Sequence, residues 1–133
     1  MKTVFLDTVG LIALWDQTDQ WHESAEVAMA RLIASKHRFF SSELVMMECG
    51  NSAARRPFRD SVLRMRQSLL DRDRLVFAHH EEMKSALRAY AKREAAGAGI
   101  VDQISFILMR RLGITEAFTN DEHFRSAGFV TLF

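Results

Sequence analysis

Short apolar runs alternate with longer amphipathic stretches along the whole chain. The runs favour β-strands, and they predict strands over residues 2–6, 37–42, 74–79, 115–119 and 129–133. The amphipathic stretches predict helices over residues 10–15, 21–34, 43–55, 57–70, 81–96, 100–112 and 121–127. Strands that are separated by helices pair in parallel, with helices on both faces of the sheet. The pattern therefore predicts an α/β fold with a mostly parallel central sheet and its last strand at an edge.

The composition is that of one globular domain spanning residues 1–133. Hydrophobic residues make up 48% and charged residues 26%, which excludes disordered and fibrous chains. The formal net charge of +1 gives no overall attraction to nucleic acids or membranes. The single cysteine, Cys49, excludes an internal disulfide and fits a reducing compartment. No apolar stretch approaches the ~20 residues that span a bilayer, and the N-terminus does not resemble a signal peptide, so we expect a cytoplasmic protein without membrane contact.

Four carboxylates lie where a parallel sheet and its helices would bring them together. Asp7 follows the first predicted strand and Asp121 follows the fourth, which places both at the carboxyl edge where such sheets bind ligands. Asp102 opens a helix, and Glu48 lies about two turns into a helix that leaves the same edge. Each acid also has a structural alternative. Asp7 and Asp121 fit helix N-caps, and the helix dipole would favour Asp102, whereas a buried Glu48 would need a basic partner.

The combination of these acids favours a metal site over the separate explanations. Carboxylates that converge without cations raise one another's pKa and destabilise the fold. A divalent cation removes this penalty, and an all-oxygen ligand set suits Mg²⁺ or Mn²⁺ better than Zn²⁺. We therefore predict a Mg²⁺ or Mn²⁺ site with the ligands Asp7, Glu48, Asp102 and Asp121. The histidines do not form a metal-binding set, and His123 is expected to be a surface or capping residue.

Several segments resemble the PIN-domain ribonucleases, and in particular the toxins called VapC. In chain order they are FLDTVGLIALWDQTDQWHESA, SSELVMMECGN, LLDRDRLVF and GIVDQISFILMRRLGITEAFTNDEHFRSAGF, which together extend over nearly the whole chain. The resemblance implies a flavodoxin-like three-layer α/β sandwich and a Mg²⁺- or Mn²⁺-dependent endoribonuclease whose products carry a 5′-phosphate and a 3′-hydroxyl. It also implies the toxin of a type II toxin–antitoxin pair, with RNA as substrate, a small antitoxin as partner and a homodimeric state.

The resemblance also assigns roles to individual residues. The acids of the family motifs, which are catalytic and bind metal, correspond to Asp7, Glu48, Asp102 and Asp121. Polar residues near them are expected to bind substrate, and these are Thr8, Asn51, Ser105 and Thr119. Val9 departs from many members of the family, which have a serine or another small residue there. Only a backbone role is therefore expected at position 9.

Arginines exceed acids between residues 55 and 74, which favours contact with an RNA backbone. They are Arg55, Arg56, Arg59, Arg64, Arg66, Arg72 and Arg74, against Asp60, Asp71 and Asp73. Neutralising phosphates supplies the sequence-independent part of affinity for nucleic acids. Arg55 and Arg56 are the best candidates because the helix predicted to carry them also carries Glu48. For each arginine the alternative is a solvated helix face with ion pairs.

Other functions fit parts of the pattern. A haloacid-dehalogenase phosphatase needs a second aspartate two residues after the first, where this chain has Val9. A response-regulator receiver has paired acids after the first strand, a phospho-acceptor after the third and a lysine late in the chain. Here His79 follows RLVFA, and the end of the chain has no lysine. Two alternatives keep the fold: a PIN-domain nuclease of RNA processing outside a toxin–antitoxin pair, and a PIN-like RNA-binding module with weak catalysis. The complete set of acids favours an active nuclease.

Overall fold

The computed structural model describes residues 2–133 and shows an α/β fold built on a parallel sheet. The strands are β1 (Thr3–Leu6), β2 (Arg38–Ser42), β3 (Leu75–Val76), β4 (Glu116–Phe118) and β5 (Val130–Thr131). The helices are α1 (Thr8–Trp15), α2 (His22–Ala34), α3 (Glu43–Ala53), α4 (Arg59–Asp71), α5 (His80–Ala91), α6 (Glu94–Gly97), α7 (Ile100–Leu112) and α8 (Glu122–Ser126). None of these helices is long and apolar enough to cross a membrane.

The strand order is β3-β2-β1-β4-β5, and every neighbouring pair is parallel. β1 lies in the middle, where Phe5 pairs with Phe40 of β2 on one side and with Ala117 of β4 on the other. The chain continues to one side of β1 through β2 and β3, and to the other side through β4 and β5. Such a reversal of strand order is the point at which open α/β sheets bind ligands. The predicted fold class is confirmed, and β5 is the edge strand that was expected.

The side chains of β1 explain why this strand lies at the centre. Val4, Phe5 and Leu6 are all completely buried, as expected for a parallel strand that helices cover on both faces. Burying each such side chain stabilises the fold by about 1.5–3 kcal/mol. An edge-to-face aromatic pair joins two of the helices, because the ring centroids of Phe106 on α7 and Phe124 on α8 lie 4.9 Å apart.

The predicted helix over residues 81–96 is wrong in its last turn, because α5 ends at Ala91. The turn that follows has left-handed residues with φ angles of 55°, 53° and 57°, and these residues are Arg93, Ala95 and Ala96. The side-chain amide of Gln103 on α7 donates to the carbonyl of Glu94 in this turn at 2.8 Å. A tertiary contact thus holds a conformation that the local helix propensity of alanine does not favour.

Other predicted elements are present with shifted ends. α1 begins at Thr8, two residues earlier than predicted, because Asp7 caps it. α4 begins only at Arg59, since Phe58 occupies the N-cap position. The strand predicted over residues 74–79 is reduced to two residues, and Phe77, directly after it, is exposed.

Candidate active site

The carboxyl edge of the sheet brings together residues that are far apart in the chain. Asp7 follows β1 directly and Thr119 follows β4 directly, and these two strands are neighbours. The backbone N–H of Asp7 donates to the carbonyl of Phe118 at 3.4 Å, which continues the pairing past the end of β1. Asp102 lies in the first turn of α7, and Glu48 lies in the middle of α3. The point where the strand order reverses is therefore also the place of the predicted site.

Asp7 is buried at this edge and is the N-cap of α1. Its Oδ2 accepts the backbone N–H of Val9 at 3.4 Å, so Val9 contributes through its backbone. The same oxygen accepts the hydroxyl of Thr119 at 2.8 Å. Oδ1 is buried and finds no hydrogen-bond partner among residues 2–133. The N-cap role predicted as an alternative is correct, and it leaves one carboxylate oxygen for a ligand.

Gly10 allows α1 to approach β4 closely. A Cβ atom at position 10 would lie 2.0 Å from the carbonyl oxygen of Phe118 and 2.7 Å from its side chain. Because Gly10 lies in the first turn after Asp7, this close approach places the Asp7 carboxylate beside Thr119. No role of Gly10 was predicted from the sequence. The signal that could have revealed its role is a glycine in the first turn of a helix, three residues after an acid that follows an apolar strand.

Thr119 connects Asp7 to Asp121. Its hydroxyl donates to Oδ2 of Asp7 at 2.8 Å and accepts the backbone N–H of Asp121 at 3.1 Å. Asp121 is in turn the N-cap of α8, because its Oδ1 accepts the backbone N–H of His123 at 2.9 Å. Thr119 is completely buried, so water does not compete for these bonds. The N-cap alternative is correct for Asp121 too.

Glu48 is held by Thr8, which joins α3 to α1. The Thr8 hydroxyl donates to Oε1 of Glu48. Within residues 2–133, no arginine or lysine lies within ion-pair distance of Glu48, so the buried ion pair considered from the sequence does not form. The neighbouring Cys49 is completely buried, and burial raises the pKa of its thiol to about 12. Cys49 is thus a neutral packing residue.

The carboxylates of the site raise one another's pKa values. Burial raises the pKa of Asp7 to about 8, and the charges of Asp102 and Asp121 contribute to the increase. Burial also raises the pKa of Asp102 to about 7, and the charges of Asp121 and Glu48 act in the same direction. His123 opposes this increase. A group of acids with so little compensating charge, one of them fully buried and the others half-buried, favours a bound cation.

A group of metal-ligating atoms lies within this set of acids. One donor atom each from Asp102, Asp121 and His123 lies within 4.8 Å of the others, and no second group of this kind occurs in residues 2–133. The predicted ligands Asp7 and Glu48 lie outside this group, although the charge of Asp102 acts on Asp7 and the charge of Glu48 acts on Asp102. The two carboxylates and the imidazole of the group are donors that fit a divalent cation. His123 is the member that the sequence analysis missed. Its place two residues after Asp121 was the signal that could have revealed it.

The other predicted substrate-binding residues differ in exposure. Asn51 and Arg55 are exposed, at the end of α3 and just beyond it. Ser105 is completely buried on α7, and its hydroxyl has no hydrogen-bond partner in the part of the chain that the structure describes. Of these three, only Asn51 and Arg55 can reach a large ligand without a rearrangement.

The arginine excess between residues 55 and 74 is partly engaged within the fold. Arg56 pairs with Asp16 at 2.9 Å, and its guanidinium lies 5.5 Å from the ring centroid of Phe58. Arg66 pairs with Glu43 at 2.9 Å. These contacts correspond to the ion-pair alternative considered from the sequence, and they leave Arg55 as the more accessible candidate for RNA.

The protein is an α/β domain with a fully parallel sheet, and its carboxylates gather where the strand order reverses, the ligand-binding place of such sheets. The family profile of the PIN domain matches residues 4–130, which is almost the entire chain. The chain therefore belongs to the PIN-domain family.

One solved toxin structure is similar to the chain over nearly its whole length. It is the crystal structure of VapC20 from Mycobacterium tuberculosis, a sarcin–ricin loop cleaving toxin, with a TM-score of 0.77 and 26% sequence identity over 96% of each chain. No curated protein sequence matches the chain significantly. The identification made from the sequence motifs, as a PIN-domain ribonuclease of the VapC toxin type, is confirmed.

Proposed function

We propose that the protein is a toxin that hydrolyses phosphodiester bonds of RNA with Mg²⁺ or Mn²⁺ as cofactor, at a site formed by Asp7, Glu48, Asp102 and Asp121. The main support for the proposal is the environment of Asp7. Its carboxylate is buried, and one of its oxygens has no partner among residues 2–133. Burial and the charges of Asp102 and Asp121 raise its pKa to about 8. A carboxylate in such a place is tolerated when a cation compensates it.

Asp7, Asp102 and Asp121 are the carboxylates that would hold the cation. The hydrogen bonds from Thr119 and Val9 both end on Oδ2 of Asp7, which orients the carboxylate and leaves Oδ1 for the ligand. When bound, a divalent cation lowers the pKa of water and offsets the charge of the scissile phosphate. The fold holds these acids in fixed positions, because Asp7 and Asp121 are helix N-caps and Asp102 lies in the first turn of α7.

Glu48 is the proposed acceptor of the proton from the attacking water. Its Oε1 takes the hydrogen bond from Thr8, which fixes the side chain, and the second carboxylate oxygen stays available for a proton. Attack of water on phosphorus forms the new P–O bond and breaks the bond to the 3′-oxygen, and the leaving 3′-oxygen takes up a proton from the solvent. The products then carry a 5′-phosphate and a 3′-hydroxyl.

Asn51 and Arg55 are the proposed contacts to the RNA backbone. Asn51 follows Glu48 by three residues, about one helical turn, so it lies on the same side of α3. Arg55 lies just beyond the end of this helix. Both are exposed. Arg56 is a weaker candidate because it is engaged with Asp16. Replacing Arg55 with glutamine should weaken RNA binding and reduce its dependence on salt.

The proposal also includes a small antitoxin encoded beside the toxin, a homodimeric state and action in the cytoplasm, because the protein resembles VapC toxins. The acidic site offers charge complementarity to an arginine of such an inhibitor. Co-expression with the neighbouring reading frame should restore growth and give a complex that survives purification. If growth is not restored and no complex forms, the toxin–antitoxin part of the proposal is wrong.

Cleavage of RNA by the metal-stripped protein tests the activity itself. Purified protein is incubated with total RNA and with a fragment containing the sarcin–ricin loop, the target of the similar toxin, first with EDTA and then with Mg²⁺ or Mn²⁺ added back. We expect cleavage only after metal addition, with 5′-phosphate ends, and loss of cleavage in Glu48→Gln. Binding of RNA without cleavage under every metal condition would instead indicate a PIN-like RNA-binding module.

A further inference from the structure

His123 lies beside the acidic site and offers a ring nitrogen, which is a different type of donor atom from the carboxylate oxygens. It belongs to the first turn of α8, and one of its ring nitrogens is within 4.8 Å of carboxylate oxygens of both Asp102 and Asp121. Its side chain is 40% exposed and that of Asp121 is 19% exposed, so the ring lies at the solvent side of the site. An imidazole nitrogen would add a second type of ligand to a metal site whose predicted ligands are all oxygen atoms.

The spacing of the donor atoms agrees with shared coordination. Nδ1 of His123 lies 2.8 Å from Oδ1 of Asp121. Two neighbouring ligands of an octahedral ion, each about 2.1 Å from the metal, are about 3.0 Å apart. The hydrogen-bonded separation of these two atoms is therefore close to the separation of two adjacent metal ligands. Little movement is needed to change the hydrogen-bonded pair into a metal-bound pair.

The backbone around His123 is fixed with respect to α7. Phe124, directly after His123, is completely buried, and its ring packs edge to face against Phe106 at 4.9 Å. Phe106 lies one helical turn after Asp102 on α7. Asp102 is thus one turn from Phe106, and His123 directly precedes Phe124. The contact between the two rings sets the distance between the helices that carry Asp102 and His123.

An independent observation shows that this acidic group is more than a set of surface carboxylates. Asp7 is 1% exposed, and its buried Oδ1 has no hydrogen-bond partner among residues 2–133. The charges of Asp102 and Asp121 act on this carboxylate strongly enough to contribute to its raised pKa. A buried, unpartnered oxygen whose pKa responds to these carboxylates favours a positively charged ligand near them.

We propose that His123 supplies a ring nitrogen to the divalent cation bound by Asp102 and Asp121. This inference rests on the proposed metal-dependent function and deepens it by naming a ligand of a different chemical class. Mg²⁺ strongly prefers oxygen ligands, whereas Mn²⁺ and the later first-row ions accept imidazole. His123 therefore shifts the preference of the site towards Mn²⁺.

Pulsed electron paramagnetic resonance of the Mn²⁺-loaded full-length protein tests the proposal directly. A coordinated imidazole gives ¹⁴N modulation of the Mn²⁺ signal, and we expect this modulation in the wild type and its loss in His123→Gln. His80→Gln is the matched control, because His80 is an exposed residue at the start of α5, and it should keep the modulation. Thermal unfolding of both variants shows that they are folded.

Metal titration of the same proteins gives a second measurement. His123→Gln should bind Mn²⁺ about tenfold more weakly, with a smaller change for Mg²⁺, so that the ratio of the two affinities falls. If the wild type shows no ¹⁴N modulation, or if the modulation persists in His123→Gln, the ligand role is wrong and His123 only orients Asp121. If no Mn²⁺ or Mg²⁺ binds to the folded wild type, the proposed metal-dependent function itself is wrong.

Discussion

At the scale of single residues, the way in which Asp7 is held decides what the site can bind. Its hydrogen bonds from Thr119 and from the backbone of Val9 both end on Oδ2. Oδ1 is left in a buried position without a partner in the described chain. One carboxylate thus caps α1 and also offers an oxygen to a cation, so the structural and functional explanations of Asp7 do not exclude each other.

Replacing Gly10 with alanine tests how closely α1 must approach β4. The new Cβ would lie 2.0 Å from the backbone oxygen of Phe118, which cannot rotate away. We expect Gly10→Ala to lower the free energy of unfolding by about 1–3 kcal/mol, measured by urea denaturation, and to reduce RNA cleavage because Asp7 moves with α1.

Gly50→Ala is the matched control for this substitution. Position 50 lies inside α3, and apart from its own stretch of helix no atom of residues 2–133 lies within 4 Å of a Cβ built there. Alanine should therefore stabilise the protein by about 0.5–1 kcal/mol through its better helix propensity. If Gly10→Ala unfolds at the same denaturant concentration as the wild type, the close approach of α1 to β4 is not needed for stability.

At the scale of elements, the sequence predicts the order of strands and helices because each has its own hydrophobic period. The parallel pairing follows from the alternation of strands and helices, and the acids Asp7 and Asp121 could be placed at one edge because they follow strands. These predictions need only local pattern and chain order. In the structure Thr119 connects Asp7 to Asp121, whereas the distances among the four acids and the place of His123 could not be predicted in this way.

Features that depend on packing between helices could not be predicted in this way. The turn after α5 leaves the helical pattern of its alanines because Gln103, from a later helix, binds the carbonyl of Glu94. The approach of His123 to Asp102 depends on the contact between Phe106 and Phe124, which joins α7 to α8. Neither contact leaves a periodic signal in the sequence, since each involves one side chain from each element.

Ala96→Gly tests the left-handed turn between α5 and α7. Ala96 is exposed and has a φ of 57°. This left-handed conformation costs a residue with an L side chain about 1–2 kcal/mol, whereas glycine adopts it without a steric penalty. We expect Ala96→Gly to raise the free energy of unfolding by up to about 1 kcal/mol, since part of the gain is offset by the greater flexibility of the unfolded chain. Urea denaturation measures this change.

Ala91→Gly provides the comparison, because Ala91 is exposed at the end of α5 and is not among the residues with positive φ. Glycine there should lower stability by up to about 1 kcal/mol. Equal losses of stability in the two variants would contradict the left-handed conformation at Ala96.

At the scale of the whole molecule, the acidic site couples folding stability to pH in the metal-free protein. Burial and nearby charges raise the pKa of Asp7 to about 8 in the folded state, from its ordinary value of 3.8. Between these values the folded protein holds a proton that the unfolded chain has lost. Stability therefore falls as the pH rises through this window, by up to about 1.4 kcal/mol per pH unit from this group.

Unfolding in EDTA at pH 5 and pH 8 measures this dependence. The wild type should lose more stability between these values than Asp7→Asn, whose amide does not titrate. Adding Mg²⁺ or Mn²⁺ at pH 8 should restore stability to the wild type, because a ligand that binds only the folded state stabilises it. Identical pH profiles for the wild type and Asp7→Asn would show that Asp7 is already ionised at pH 5 in the fold.

The most direct test of the central claim, that the four carboxylates form a metal-dependent RNA-cleaving site, is the rate at which Asp7→Asn cleaves one defined RNA. It is compared with the wild type and with Asp60→Asn, which alters an exposed acid in the first turn of α4. We predict a loss of about 100-fold or more in Asp7→Asn, an unchanged rate in Asp60→Asn, and no cleavage by the wild type in EDTA. Cleavage by folded Asp7→Asn at the wild-type rate, or wild-type cleavage that persists in EDTA, would contradict the claim.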